Sequence, residues 1–190
     1  MFIQAIIVAI IIGYILRGSL KNFELVELKG LYAVTLSFTL QFIVIMLIRK
    51  GMLHNGTLTL VLHLIMYILL FYFIYLNRKY KFLVLMGVGF LLNAIPIFLN
   101  GGSMPVSHEA VVKLGANMNV TKMGLYNFIN SNTRVWFLGD IFPYKAIIKV
   151  VMSIGDIIIV IGLMLFIITG MKNKENFNHI ESSNVVDKII

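Results

Sequence analysis

Asp156 is the residue whose type and position most clearly suggest chemistry. It is the only charged side chain inside any long apolar run, and Ile157 to Ile161 follow it directly. An ionised carboxylate in hydrocarbon costs about 2.5–3.5 kcal/mol on insertion scales, so such residues are rare and usually functional. The Ile, Val, Leu and Phe residues of the run return about 0.3–0.6 kcal/mol each, so the segment can still insert. Asp156 is therefore the centre of the candidate site.

Other polar side chains also interrupt the apolar runs, namely Gln4, Gln41, His63 and Asn93. Asn93 shares a helical face with Pro96 and Asn100. Pro96 frees a backbone carbonyl that needs a partner inside a bilayer. For Gln41 and Asn93, the alternative to a functional role is an interhelical hydrogen bond worth about 0.6 kcal/mol. For His63, the alternative is a packed, hydrogen-bonded histidine that is neither a ligand nor a base.

The composition places these residues in a membrane protein. Hydrophobic residues make up 59% of the 190 residues and charged residues 13%, against roughly 45–50% and 25% in soluble domains. The net charge of +8 comes from short basic groups beside apolar runs, which is typical of topology determinants and lipid contacts and not of nucleic-acid binding. The chain has no cysteine, so disulfides, thiolate nucleophiles and Cys-ligated metals are excluded.

Five apolar runs are long enough, or nearly so, to cross a bilayer as helices. They cover residues 1–16, 31–48, 58–76, 82–99 and 150–168. The first run is short, but it lacks a basic start and a small-residue cleavage site, which favours a retained helix over a signal peptide. The predicted fold is all-α, a polytopic bundle of about five transmembrane helices. One membrane-embedded domain covers 1–171, and 172–190 form a tail.

The basic residues predict an orientation. Nine of them fall on one side of the predicted membrane: Arg17, Lys21, Lys29, Arg78, Lys79, Lys81, Lys172, Lys174 and Lys188. The other side has Arg49, Lys50 and five more basic residues spread over the long loop 100–149, where the positive-inside bias weakens. We expect the N-terminus outside and the C-terminal tail in the cytoplasm.

With this topology the polar residues lie in the outer half of the bilayer. At about 1.5 Å per residue, Gln41 and Asn93 are about 10 Å below the outer ends of their helices, Asp156 about 9 Å, His63 about 8 Å and Gln4 about 5 Å. The sequence predicts a polar pocket between the helices that opens outward beneath the long loop. Its predicted residues, around Asp156, are Gln41, His63, Asn93, Asn100, Gly101 and Gly102.

The loop 100–149 is the one sizeable region predicted to lie outside the membrane. The Gly and Pro residues of 100–105 indicate a tight turn. Ser107 is a candidate cap for a short helix that Gly115 would end. Residues 118–138 alternate apolar and polar positions, which favours an interfacial helix on the membrane surface. Asp140 is a candidate N-cap for a helix beginning near Pro143.

Two motifs resemble those of a bacterial membrane family, a domain of unknown function with about five helices. They are Asn100-Gly-Gly-Ser-Met-Pro105, and Leu138-Gly-Asp-Ile-Phe-Pro143 followed by Ser153-Ile-Gly-Asp156. The similarity covers most of the chain and implies no activity. It implies a multi-pass protein of the bacterial inner, or cell, membrane.

The last apolar run also resembles, more distantly, the final helix of lipoprotein signal peptidase, an aspartyl peptidase. Met152 to Asp156, with Ile159 and Gly162, is similar to its Phe-Asn-x-Ala-Asp motif, and Leu138 to Phe142 is similar to the context of its other aspartate. The resemblance implies that Asp140 and Asp156 are a catalytic pair. One carboxylate would take a proton from water while the other, protonated, polarises a carbonyl. Ser153 and Gly155 depart from the motif.

Three functions remain open. The first is an aspartyl-type peptidase or hydrolase that acts on a peptide or lipid-linked substrate. The second is a small membrane subunit or transporter that binds a cation, proton or lipid at Asp156. The third is a structural subunit in which Asp156 pairs with Lys149 or Arg134. The expected partners are the lipid bilayer, such a substrate and other membrane subunits, and not nucleic acid. No phosphate loop and no spacing of metal-ligating histidines is present, so no cofactor or metal is expected.

Overall fold

The helices of the computed structural model follow the apolar runs of the sequence. The structure describes residues 1–53, 56–115, 125–146 and 149–172. Its α-helices are α1 (Phe2–Ile15), α2 (Leu31–Arg49), α3 (Thr57–Leu76), α4 (Lys81–Leu99), α5 (His108–Lys113) and α6 (Ile154–Lys172). Its strands are β1 (Met104–Val106), β2 (Tyr126–Phe128), β3 (Phe142–Lys145) and β4 (Lys149–Met152), and Leu20–Leu25 and Trp136–Leu138 are 3-10 turns.

The predicted all-α membrane bundle is confirmed. Among the described residues, α2, α3, α4 and α6 are long and apolar enough to cross a membrane. The first run forms α1, an apolar helix of 14 residues, which is shorter than the roughly 20 residues that a spanning helix needs. The structure therefore has four helices of spanning length in its described part, where the apolar runs predicted about five.

The long helices pack as a row in which each element contacts the next. α1 packs on α6, α6 on α4, α4 on α3 and α3 on α2. α4 and α6 come closest where Gly89 faces Gly155, since a Cβ on Gly155 would lie 2.6 Å from the Gly89 carbonyl oxygen. A Cβ on Gly162 would lie 2.7 Å from Met86 Cγ. The small residues of α6 thus form a ridge on which α4 packs closely.

One end of the bundle is tied together by side-chain to backbone hydrogen bonds. Asn77, after α3, donates to the Lys29 carbonyl (2.7 Å) and accepts from the Lys29 amide (2.9 Å). The Tyr80 hydroxyl donates to the Glu27 carbonyl, and the Ser19 amide donates to the carbonyl of Met171 near the end of α6. The segment 16–30, the α3–α4 turn and the end of α6 therefore share one end, and the described parts of the 100–149 loop lie at the other.

The long loop differs from its prediction. Ser107 does cap α5 by accepting from the Ala110 amide. The interfacial helix predicted over 118–138 is wrong in its described part, because 126–128 form β2, which pairs in parallel with β1 and aligns Met104 with Tyr126. Residues 118–124 lie outside the described residues. The helix predicted near Pro143 is also wrong, since β3 pairs there with β4 in an antiparallel hairpin that aligns Phe142 with Met152.

The last spanning helix begins later than predicted. The apolar run starts at Val150, but residues up to Met152 belong to β4 and α6 begins at Ile154. Asp156 therefore lies in the first turn of its helix, about 3 Å along the axis from its start, and not about 9 Å below the helix end. Val150 and Val151 are β-branched and suit a strand as well as a buried helix, so hydropathy alone did not separate the two elements.

Candidate functional site

A polar cavity of about 140 Å³ lies between the helices at the end that carries the long loop. All four spanning helices and three segments of the loop contribute to its lining. The lining residues are Gln41, His63, Tyr67, Asn93, Ile97, Met104, Leu125, Tyr126, Asp140 and Asp156. At roughly 30 Å³ per molecule the space equals four or five waters, enough for a water and one small group of a substrate.

Asp156 is held by a closed set of hydrogen bonds at the start of α6. Ser153 is the N-cap: its Oγ accepts from the Asp156 amide (2.9 Å), and its own amide donates to Asp156 Oδ2 (3.3 Å). This reciprocal pair is a capping box. Asn93 of α4 joins it, because its Nδ2 donates to Asp156 Oδ1 (2.8 Å) and its Oδ1 accepts from the Ser153 hydroxyl (2.6 Å). Both carboxylate oxygens thus accept hydrogen bonds.

Asp140 reaches the cavity from the loop and has a different environment. Its backbone is fixed against β1, since its amide donates to the Pro105 carbonyl (2.8 Å) and its carbonyl accepts from the Ser107 amide (2.9 Å). Its side chain is buried, and Oδ1 has no hydrogen-bond partner among the described residues. Burial, and then the nearby charge of Asp156, raise the pKa of the Asp140 carboxyl well above its usual range.

Gln41 and His63 bring further unpaired polar atoms to the cavity. Gln41 Oε1 and His63 Nδ1 are buried, and neither has a hydrogen-bond partner among the residues described. His63 is only 4% exposed. Buried polar atoms without partners are uncommon in folded proteins and indicate a bound water, ion or ligand group. The cavity thus offers polar atoms that the protein itself leaves free.

Sequence reasoning missed several residues of the lining, the most polar being Tyr67 and Tyr126. Burial raises the pKa of Tyr126 to about 12, with smaller contributions from the charges of Asp140 and Asp156, so its hydroxyl remains protonated and can donate. Tyr67 is a typical residue of an apolar helix, and Tyr126 reaches the site only through the β1–β2 pairing. No pattern in the sequence distinguishes either tyrosine.

Three predicted pocket residues do not line the cavity. Asn100 uses its side chain to bind the loop, because Nδ2 donates to the Pro96 (2.7 Å) and Arg134 (2.9 Å) carbonyls and Oδ1 accepts from the Arg134 amide (2.9 Å). Gly101 and Gly102 adopt positive φ angles in the turn after α4. The Gly102 backbone forms a hydrogen bond with His63 and so helps to position that side chain. Gln4 in α1 is also absent from the lining.

The ion pairs proposed for Asp156 do not form. Within the described ranges the only ion pair is Lys113 with Glu109, at 2.7 Å. Lys149 would share a helical face with Asp156 if both lay in one helix, but Lys149 lies in strand β4, before α6 begins. Lys149 and Arg134 are both exposed. The predicted structural role of Asp156 through a basic partner is therefore wrong, and Asn93 and Ser153 take that place.

The relatives of the chain carry no named activity. An uncharacterized protein of Thermotoga maritima is 27% identical over 168 residues, covering 88% of this chain and 90% of the relative. No solved structure matches the chain. Residues 25–168, which include every residue of the cavity lining, match a family of unknown function. This match spans well over half of the sequence, so the chain belongs to the DUF5317 family.

Proposed function

We propose that this protein is a membrane-embedded hydrolase in which Asp140 and Asp156 act as an acid–base pair on a peptide or lipid-linked substrate. The observation that carries the proposal is that two aspartates from separate chain segments line one cavity with different hydrogen bonding. Asp156 accepts at both oxygens, whereas Asp140 Oδ1 has no partner among the described residues. Pairs of carboxyl groups with unequal environments divide the roles of acid and base between them. The local resemblance of both aspartate motifs to lipoprotein signal peptidase favours the same chemistry.

Asp140 is the proton donor of the pair. It is 6% exposed, Oδ1 has no hydrogen-bond partner among described residues, and burial raises the pKa of its carboxyl, which favours the protonated form. A protonated carboxyl can donate a hydrogen bond to a substrate carbonyl and polarise it. The Tyr126 hydroxyl, which lines the same cavity, is a second donor for the oxygen that becomes negative during attack.

Asp156 is the base. The donors at both of its oxygens, Asn93 Nδ2 and the Ser153 amide, offset part of the free-energy cost of burying the carboxylate. The N-terminal turn of α6 adds the favourable end of the helix dipole. The same hydrogen bonds fix the orientation of the carboxylate, as a general base requires.

For an amide substrate the proton transfers balance as follows. Asp156 takes a proton from water as the water oxygen bonds to the carbonyl carbon, and Asp140 gives its proton to the carbonyl oxygen. The resulting diol then collapses: the carbon–nitrogen bond breaks, Asp156 gives its proton to the leaving nitrogen, and Asp140 recovers one from a diol hydroxyl. The products are a carboxylic acid and an amine, and both aspartates regain their initial states.

The test is hydrolysis by the full chain reconstituted in lipid vesicles. The probes are a quenched fluorescent peptide with a single apolar span and a phospholipid with a fluorescent acyl reporter. We expect cleavage of at least one probe, with Asp140→Asn and Asp156→Asn each lowering the rate by about 10²- to 10⁴-fold, the usual contribution of an acid or base. Glu109→Gln is the matched control, since it removes an exposed carboxylate of the same loop and should leave the rate unchanged.

Two results contradict the proposal. One is retention of activity by either aspartate variant, because each step needs both groups. The other is loss of inserted protein from membranes in both variants, which would make the aspartates structural. Insertion is measured on the same preparations by the yield of detergent-extracted monodisperse protein.

The unpaired atoms of the cavity favour a second function, the binding of a proton or cation. Gln41 Oε1, His63 Nδ1 and Asp140 Oδ1 can all accept from, or coordinate, a positive group beside Asp156. Such a site predicts that Asp156→Asn alone abolishes proton or cation flux in vesicles loaded with a pH-sensitive dye. Under that function Asp140→Asn leaves part of the flux, whereas hydrolysis requires both aspartates equally.

A further inference from the structure

The 3-10 turn just before Asp140 presents two aromatic side chains to the outside of the protein. Trp136 and Phe137 are 53% and 50% exposed. Their rings meet edge to face with centroids 6.2 Å apart. Adjacent large apolar side chains that remain exposed mark a surface for a membrane or another partner.

The position of this turn relative to the bundle is fixed by Asn100. That residue follows α4 directly and holds the Arg134 backbone through two hydrogen bonds of 2.9 Å. Val135 then adopts a φ of 45°, a conformation that a β-branched residue keeps only where its surroundings enforce it. Trp136 therefore lies at the level where α4 leaves the apolar zone. Tryptophan is enriched at this level in membrane proteins.

The exposed charges described at this end of the bundle suit lipid headgroups. Arg134, Lys145 and Lys149 are exposed, and none forms an ion pair within the described part of the chain. Of the acids described at this end, Asp140 is buried, Asp156 is half-buried and accepts hydrogen bonds from Asn93 and Ser153, and Glu109 pairs with Lys113. The exposed charge of this end is therefore basic and complements anionic phosphate groups.

We propose that Trp136 and Phe137 insert into the leaflet at the cavity end of the bundle, with Arg134, Lys145 and Lys149 against its headgroups. The occupant of this surface is the lipid bilayer, because the surface is continuous with the end of the spanning helix α4. Insertion holds the loop segment that contains Asp140 at the membrane boundary, so the cavity lies beside the lipid phase. The inference does not depend on whether the two aspartates hydrolyse anything.

Fluorescence of the full chain tests the insertion directly, because Trp136 is the single tryptophan of the sequence. The protein is reconstituted in phosphatidylcholine–phosphatidylglycerol vesicles that contain lipids brominated either near the headgroup or near the acyl-chain end. We expect blue-shifted emission, strong quenching by the shallow bromines, weaker quenching by the deep ones and little by aqueous acrylamide. Stronger quenching by the shallow than by the deep bromines corresponds to an indole that lies about 5–10 Å deep in the membrane interface.

The opposite pattern overturns the proposal: efficient quenching by acrylamide with emission unchanged in both brominated lipids. The matched control is Ser131→Trp in a Trp136→Phe background, which moves the fluorophore to an exposed polar position of the same loop. That indole should remain accessible to acrylamide. Equal quenching of both positions by brominated lipid also counts against the proposal, because the whole loop would then lie in the interface without a specific aromatic anchor.

Discussion

Replacing Ser153 by alanine should destabilise the protein by more than the loss of a helix cap. The side chain of Ser153 is fully buried, accepts from the Asp156 amide at 2.9 Å and donates to Asn93 Oδ1 at 2.6 Å. Alanine removes the cap of α6 and also leaves the Asn93 oxygen without its donor. The two losses act at the contact between α4 and α6, which is the most extensive contact of the bundle.

The magnitude follows from the two losses. A Ser N-cap replaced by Ala costs about 1 kcal/mol, and a buried acceptor left unpaired costs about 1–3 kcal/mol. We expect the free energy of unfolding to fall by about 2–4 kcal/mol. Ser107 is the matched control: it caps α5 in the same way, at 3.2 Å from the Ala110 amide. Its replacement should cost about 1 kcal/mol or less, since its hydroxyl makes no hydrogen bond to a buried side chain in the described part of the chain.

Unfolding of the full chain by SDS in mixed micelles, followed by far-UV circular dichroism, measures both values. Ser153→Ala should exceed Ser107→Ala by at least about 1 kcal/mol. Asn93→Leu tests the shared cause: combined with Ser153→Ala it should cost less than the sum of the single changes, with a coupling of about 0.5–3 kcal/mol. Equal losses for the two serines, or strict additivity with Asn93→Leu, would refute the network.

Two further predictions concern the same helix contact and the buried acid. Gly155→Ala should lower stability by about 1–3 kcal/mol through overpacking, because the added Cβ would meet Asn93 Oδ1 and the Gly89 carbonyl. Gly56→Ala, whose Cβ would meet no described atom within 4 Å, should cost less than about 1 kcal/mol in the same SDS titration, which is the difference between Gly and Ala at the N-cap of α3. The raised pKa of Asp140 means that its stabilising contribution is greatest in acid and is lost as the pH rises through that pKa. Asp140→Asn, which stays neutral, should therefore exceed the wild type in thermal stability at neutral pH and lose this advantage in acid; a difference independent of pH would contradict the burial argument.

The three middle helices could be predicted within a residue or two, because each is a single apolar run that a basic residue or a turn ends. The predicted runs 31–48, 58–76 and 82–99 correspond to Leu31–Arg49, Thr57–Leu76 and Lys81–Leu99. The start of α6 was predicted four residues early because Val150 and Val151 are as apolar as the helix that follows. The signal that separates them is Ser153-x-x-Asp156, a capping-box pattern directly before an apolar run.

The candidate site was predictable where helix depth decides position. Gln41, His63 and Asn93 lie in different helices, yet their distance from the helix ends places them at a common level, and the structure brings them to one cavity. Asp156 joins them there although it lies only about 3 Å into its helix. The residues that the loop contributes to the cavity were harder to predict from the sequence. Tyr126 depends on a parallel pairing between short strands, whose partners in the sequence no local pattern specifies. Asn100 lies at the end of α4, and its side chain binds the Arg134 backbone and does not line the cavity.

In the structure, Asp140 and not Asp156 is the more unusual of the two acids. The sequence drew attention to Asp156 as a charge in hydrocarbon, but that carboxylate begins a helix and accepts hydrogen bonds from Asn93 and Ser153. Asp140, which a hydropathy profile assigns to a loop, is the acid that is buried with Oδ1 left unpaired by the described residues. A buried, unpartnered acid lowers stability unless it is neutral. Its place beside a well-bonded carboxylate in one cavity is the arrangement that the proposed exchange of a proton between the two groups requires.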